Sequence, residues 1–129
     1  MSETHRLIIK LKKRDGSSTE TELESFEKEF PVLEPQKLTK RINQADGLVD
    51  MNLPDVPFQY VLIRATYAED DGAIGVVKGD PAPIKCRFDG VVTDKILPEG
   101  IDVWTGDLAQ LQIATDYATN KILVEVYLG

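Results

Sequence analysis

The chain has 129 residues, of which 42% are hydrophobic and 29% charged, and 15 basic against 22 acidic side chains give a formal net charge of −7. This is the composition of a globular domain long enough to bury a core without disulfides or metals, and its acidity argues against nucleic acid or an anionic membrane as the main partner, because both need a basic surface. No apolar run reaches the length of a membrane span. The start, MSETHRLIIKLKKR, lacks the apolar core and cleavage site of a secretory signal, so the expectation is synthesis and retention in the cytoplasm. The lone Cys86 forms no internal disulfide, which fits a reducing compartment.

Along the chain, RLIIKLKKR alternates Leu7, Ile9 and Leu11 against Ile8, Lys10 and Lys12, the period of a strand with one wet face. Asp15-Gly16 is a hairpin signal. The return arm, SSTETELESF, is polar and weakly patterned. It reads as an edge strand with Thr19, Thr21 and Leu23 on one side, or as the start of a helix through Leu23, Phe26 and Phe30; the hairpin is favoured. Pro31 and Pro35 break regular structure. Leu38 and Ile42, four apart, suit a turn or two of helix. Asp46-Gly47 is expected to centre a second hairpin whose returning arm carries Val49, Met51 and Leu53, before Pro54 and Pro57.

The remainder is patterned more sharply. FQYVLIRATY is apolar on both faces, with Phe58, Tyr60 and Leu62 on one and Val61, Ile63 and Ala65 on the other, as in a central covered strand. A turn at Tyr67–Gly72 leads to a short strand around Ile74, Val76 and Val77, and Gly79-Asp80-Pro81 turns again. Ile84, Cys86 and Phe88 alternate with Lys85, Arg87 and Asp89, and Asp89-Gly90 and Pro98-Glu99-Gly100 are turns. Ile101, Val103 and Thr105 lie opposite Trp104. After Gly106-Asp107, LAQLQIAT is expected to turn Ala109, Leu111 and Ile113 inward, and DYATN is the last loop. In the closing KILVEVYLG, Ile122, Val124, Val126 and Leu128 form one apolar row; a terminus this apolar is expected to be paired inside a sheet. Short strands about ten residues apart, each bounded by Gly, Pro, Asp or Asn, predict an all-β fold: an antiparallel β-sandwich, jelly-roll-like or Ig-like. It is read as one domain over residues 1–129, with 1–54 an N-terminal hairpin or extension and at most one short helix.

Catalytic chemistry is nearly absent from the pattern. The single histidine, His5, would have to meet a Ser or Cys in a cleft to form a nucleophile relay, and reads instead as a residue on the first strand. Cys86 shares its strand face with Ile84 and Phe88, while Lys85 and Arg87 point the other way, so packing is favoured over a reactive thiolate. Glu69, Asp70 and Asp71, with Asp80 or Asp89, offer oxygen ligands for calcium, but the spacing fits no EF-hand loop and a solvated turn is the better reading. Two-carboxylate hydrolysis has too many candidate acids to single out a pair. Gly72, Gly75 and Gly79 are followed by no Gly-Lys-Ser/Thr, so no phosphate loop is present. No cofactor or metal is expected. The run Lys10, Lys12, Lys13 and Arg14 reads as a wet strand face, a lysine-protected edge or a docking patch for an acidic neighbour. Trp104, Tyr117 and Tyr127 are candidate contact residues, either exposed for protein or sugar contact or buried by the second sheet.

Over residues 48–129, from LVDMNLP through FQYVLIRA, PIKCRFDG, LPEGIDVW and LAQLQIAT to KILVEVYLG, the chain resembles small virion proteins of tailed bacteriophages. The resemblance implies a β-sandwich built into a phage particle, in the tail, baseplate, fibre or head decoration. It implies as partners further copies of the chain and other virion proteins, with no catalytic residue. The strand RLIIKLKKR and the arm SSTETELES are then the candidates for strand pairing between subunits. The alternative is a carbohydrate-binding module for host recognition, resting on Trp104 and Tyr117; a small hydrolase ranks last.

Overall fold

From Ile122 to Leu128 buried and half-buried side chains alternate without a break, so the closing segment is a strand with one core face. The same alternation organises the rest of a computed structural model, which describes residues 3–14, 20–32, 36–55, 58–106 and 108–129. Its strands are β1 (Glu3–Arg14), β2 (Glu20–Val32), β3 (Gln36–Ile42), β4 (Val49–Asp50), β5 (Tyr60–Tyr67), β6 (Ile84–Phe88), β7 (Lys95–Leu97), β8 (Ile101–Thr105), β9 (Leu111–Ala114) and β10 (Ile122–Leu128), with one 3-10 turn at Gln44–Asp46. The chain divides into two compact units, Met1–Pro35 and Gln36–Leu128. Residues 36–54, grouped with the N-terminal part in the sequence, therefore belong to the second unit.

The second unit is an antiparallel β-sandwich of two four-stranded sheets, ordered β3-β10-β5-β8 and β4-β9-β6-β7. The pairing is nested: β3 with β10, β4 with β9, β5 with β8 and β6 with β7. Every connection crosses between the sheets except the one joining β6 to β7. This is a folded-over long hairpin, the topology of a jelly roll, and it decides between the two sandwich types left open by the sequence. One sheet contributes Val61, Ile63, Ala65, Ile122, Val124 and Val126 to the core, and the other Ile84, Cys86, Leu111 and Ile113, all 2% exposed or less. On β5 the inward row is Val61, Ile63 and Ala65 as expected, whereas on the outward face Tyr60 and Leu62 are half-buried and Arg64 is exposed.

The first unit is a two-stranded antiparallel ribbon of β1 and β2, with the register shifting between Leu11 and Lys12. The hairpin reading holds and the helical alternative for the return arm does not. Pro31 does not end β2; it lies in the strand opposite Thr4, an arrangement a two-stranded ribbon tolerates because each strand has an outer edge that needs no ladder bond. The Asp15-Gly16 turn, Thr19, Pro35, Pro57 and Asp107 lie outside the described residues, as do the side chains of Leu11, Thr21, Leu23 and Phe30.

Several local expectations give way. Leu38 and Ile42 lie on strand β3, not on a helix, because four-residue spacing also returns to the same face of a strand. Asp46-Gly47 does not join a hairpin: β3 and β4 lie in different sheets, each paired with a distant strand. The segment around Ile74 is a tight turn closed by the Asp71–Val76 bridge, with Ile74 and Val77 exposed. Ala109 is exposed, and Leu108 takes the inward position.

Gly100 joins the sheets where β8 stops pairing with β5. Its carbonyl accepts a hydrogen bond from Ala65 N at 2.7 Å, and Ala82 N donates to Ala65 O at 3.0 Å, so three segments meet at one residue. Gly100 has φ +65°, and a Cβ there would lie 2.3 Å from Ala82 O and 2.6 Å from Ala65 O. The left-handed conformation alone costs a non-glycine residue about 1–3 kcal/mol. Gly100→Ala is therefore expected to destabilise the fold by about 3 kcal/mol or more in urea unfolding, with the backbone clash added to the conformational cost. A loss below about 1 kcal/mol would mean that the two carbonyls move aside.

Candidate functional site

Of the carboxylates that suggested calcium, Glu69 is exposed, whereas Asp70, Asp71, Asp80 and Asp89 hold turns. Asp50, Asp70, Asp71 and Asp80 accept backbone N–H bonds from Asn52, Lys78, Ala73 and Val77 at 2.7–3.0 Å. Asp89 accepts from both Ala109 N and Gln110 N, at 2.7 and 2.9 Å, and so ties the end of β6 to the loop before β9. Short acidic side chains replace backbone partners that tight turns leave unmade. Asp71 is buried rather than solvated, and also accepts the Tyr117 hydroxyl. Among the described residues no group of three His, Cys, Asp or Glu is placed to hold a metal ion.

Cys86 lies at 0% exposure in the core, and burial pushes its thiol up to about 12. Lys85 and Arg87 face outward as expected, paired with Asp116 at 3.0 Å and Asp94 at 2.7 Å. His5 is half-buried on β1, opposite Phe30 in the ribbon register.

The aromatic candidates divide. Trp104 pairs in register with Val61 and so faces the core; its ring stacks on Phe88 of the opposite sheet at 5.1 Å and 15°. It is an inter-sheet brace, not an exposed platform, because Asp102 and Trp104, rather than Ile101 and Val103, occupy the inward positions of β8. Tyr127 lies on the outer face of β10, where its hydroxyl donates to Glu125 at 3.0 Å and Lys37 Nζ sits 5.2 Å from its ring centre. Tyr117 lines a cleft of about 300 Å³ with Tyr67, Ile84, Lys85, Ile96 and Asp116. It meets Tyr67 edge-on at 5.2 Å, and its hydrogen bond to Asp71, with burial second, raises its pKa. Within the cleft Lys85 pairs with Asp116, and the Tyr117 hydroxyl donates to Asp71 outside its lining.

Lys10 and Lys12 are exposed on β1, and they belong to a larger pattern, of which the sequence alone shows a basic run beside an acidic stretch. β1 carries five basic side chains and one Glu, whereas β2 carries five Glu and one Lys. The register sets Arg6 against Glu29, Lys12 against Glu22 and Arg14 against Glu20, and Arg6 Nη2 lies 3.0 Å from Glu29 Oε1. Ile9 and Phe26 stand opposite each other and are each 51% exposed. The signal was present in the every-second-residue glutamates of ETELE, but hydrophobic periodicity does not register it. Among the described residues no other strand pairs with either side of the ribbon. No protein family, no curated protein and no solved structure matches the chain.

Two outcomes follow for the sandwich. Cys86 is expected to stay unmodified by a thiol reagent at neutral pH until the protein unfolds, and labelling of the native protein at the rate of a free thiol would contradict its placement. The Glu125 carboxyl, with Lys37 Nζ 2.7 Å away and the Tyr127 hydroxyl donating, is held below the ordinary carboxylate range. A depressed folded value means that this carboxylate adds stability above its unfolded pKa and loses it as the pH falls through the folded one. Lys37→Met is expected to raise the Glu125 midpoint in an NMR titration and to move the acid limb of unfolding to higher pH; an unmoved midpoint would remove Lys37 as the cause.

Proposed function

We propose that this chain is a structural component of a bacteriophage particle and acts by protein–protein assembly rather than by catalysis. The single observation that carries this reading is the ribbon: two strands of 12 and 13 residues whose outer edges no other described strand covers, with Ile8, Ile9 and Phe26 exposed. Long unpaired edges with apolar side chains favour pairing with another chain, which natural proteins avoid unless the contact is used. The jelly roll adds support by analogy of fold alone, since capsid proteins, lectins and cupins share it. The engagement of the turn carboxylates with backbone, and the burial of the one thiol, favour a scaffold over an active site. A carbohydrate-binding role rests on less, because Trp104 faces the core and leaves Tyr117, in the cleft, as its support.

The full chain is expected to sediment as a multimer, or to be recovered in fixed stoichiometry from purified phage particles. A chain that stays monomeric at every concentration and is found in no particle would overturn the reading.

A further inference from the structure

We propose that the ribbon joins copies of this chain head to tail, with the acidic outer edge of β2 in one copy pairing with the basic outer edge of β1 in the next. This rests on the assembly reading and names its partner, a second copy, and its surface.

The charge distribution selects that contact from three possibilities. Pairing β1 with β1 sets basic against basic, and pairing β2 with β2 sets Glu against Glu; both are the self-complementary contacts of a two-fold dimer. Only β1 against β2 brings opposite charges together. That contact is heterologous, so it propagates into a closed ring or an open filament instead of stopping at two copies.

The ribbon also keeps charge for such a contact. Lys10 stands opposite Ser25, Glu27 opposite Ile8 and Glu24 opposite Leu11, so these three side chains have no charged residue directly across from them. Alternation puts Arg6 and Lys10 on the same face as Glu27 and Glu29. A neighbouring ribbon laid alongside with the same face up would set the glutamates of its β2 beside Arg6 and Lys10. On the opposite face, the half-exposed Ile9 and Phe26 would continue into the next ribbon as an apolar row. Main-chain hydrogen bonds along the paired edges would supply affinity, and the side chains would supply direction and partner choice.

The test uses the full chain carrying Lys10→Glu or Glu27→Lys, studied by sedimentation velocity at low and high salt, with circular dichroism to show that the β structure is retained. Each single substitution gives both edges one sign at that position and is expected to weaken assembly by at least about tenfold. The wild-type assembly is expected to weaken as salt rises. Lys10 and Glu27 are also diagonal neighbours within one ribbon, so the decisive arm is a mixture of the two variants. Mixing leaves each ribbon's internal change in place and restores opposite charges only between copies. Recovery of large species in the mixture, and in the double variant, is the expected result. Multimers that form equally well in both single variants, or a mixture that stays dissociated, would overturn edge pairing while leaving the assembly reading intact. Wild-type chain that stays monomeric alone but is recovered from particles would also overturn edge pairing only. A monomer found in no particle would overturn both.

Discussion

The sandwich depends on β10 being held between β3 and β5. That position gives the closing strand a hydrogen-bonding partner on each side and buries Ile122, Val124, Val126 and Leu128 in the core. Its partners β3 and β5 come from distant parts of the chain, so this pairing closes the longest loop of the nested set. The remaining strands are nested within it. Once β3 lies on β10, the chain between them has to fold over so that β4 meets β9 and β5 meets β8, and the β6–β7 hairpin becomes the innermost turn. Gly100 and Ala65 mark the place where this folding brings three segments to one point, and only a residue without a side chain fits there.

The acidic surplus has a structural use. A sandwich with many crossings between sheets has many tight turns, and each leaves backbone N–H groups without ladder partners. Asp50, Asp70, Asp71, Asp80 and Asp89 accept those groups. Asp89 and Gly90, both at positive φ, make the turn after β6, and the Asp89 carboxylate reaches across to the loop before β9. Five of the many acids in the sequence are thus loop fasteners. In the ribbon the register sets acids across strands against bases, a use the sandwich shares at Glu125 and Lys37 but adds to its turn contacts.

The strands most legible in the sequence were those with one face in the core. In β6, β9 and β10 burial follows the two-residue alternation, because a slip of one residue would turn the apolar row to solvent. β3 was misread because Leu38 and Ile42 satisfy the helical and the strand period together. Asp46-Gly47 was misread because turn chemistry reports a change of direction, not which strand will be paired. Trp104 was ambiguous because β8 is an edge strand whose inward face also holds Asp102, so polarity did not separate its faces. β2 was the hardest: its described side chains are exposed on both faces, so it carries its pattern in charge, and that pattern has meaning only once its register against β1 is known. The jelly-roll order was out of reach for the same reason, since nested pairing is a property of residues far apart in sequence. Of the candidate site, Lys10, Lys12 and the acidic stretch beside them were legible, but the register that sets the two strands against each other was not.

One consequence of the nested order concerns the two ends of the sandwich. Gln36, where it begins, is the register partner of Leu128, where it finishes. The unit is thus entered and left at a single point on one sheet. A module with that property can be carried within the loop of a larger chain, or have its ends joined by a short linker and be reopened at a surface turn, without disturbing its strand order.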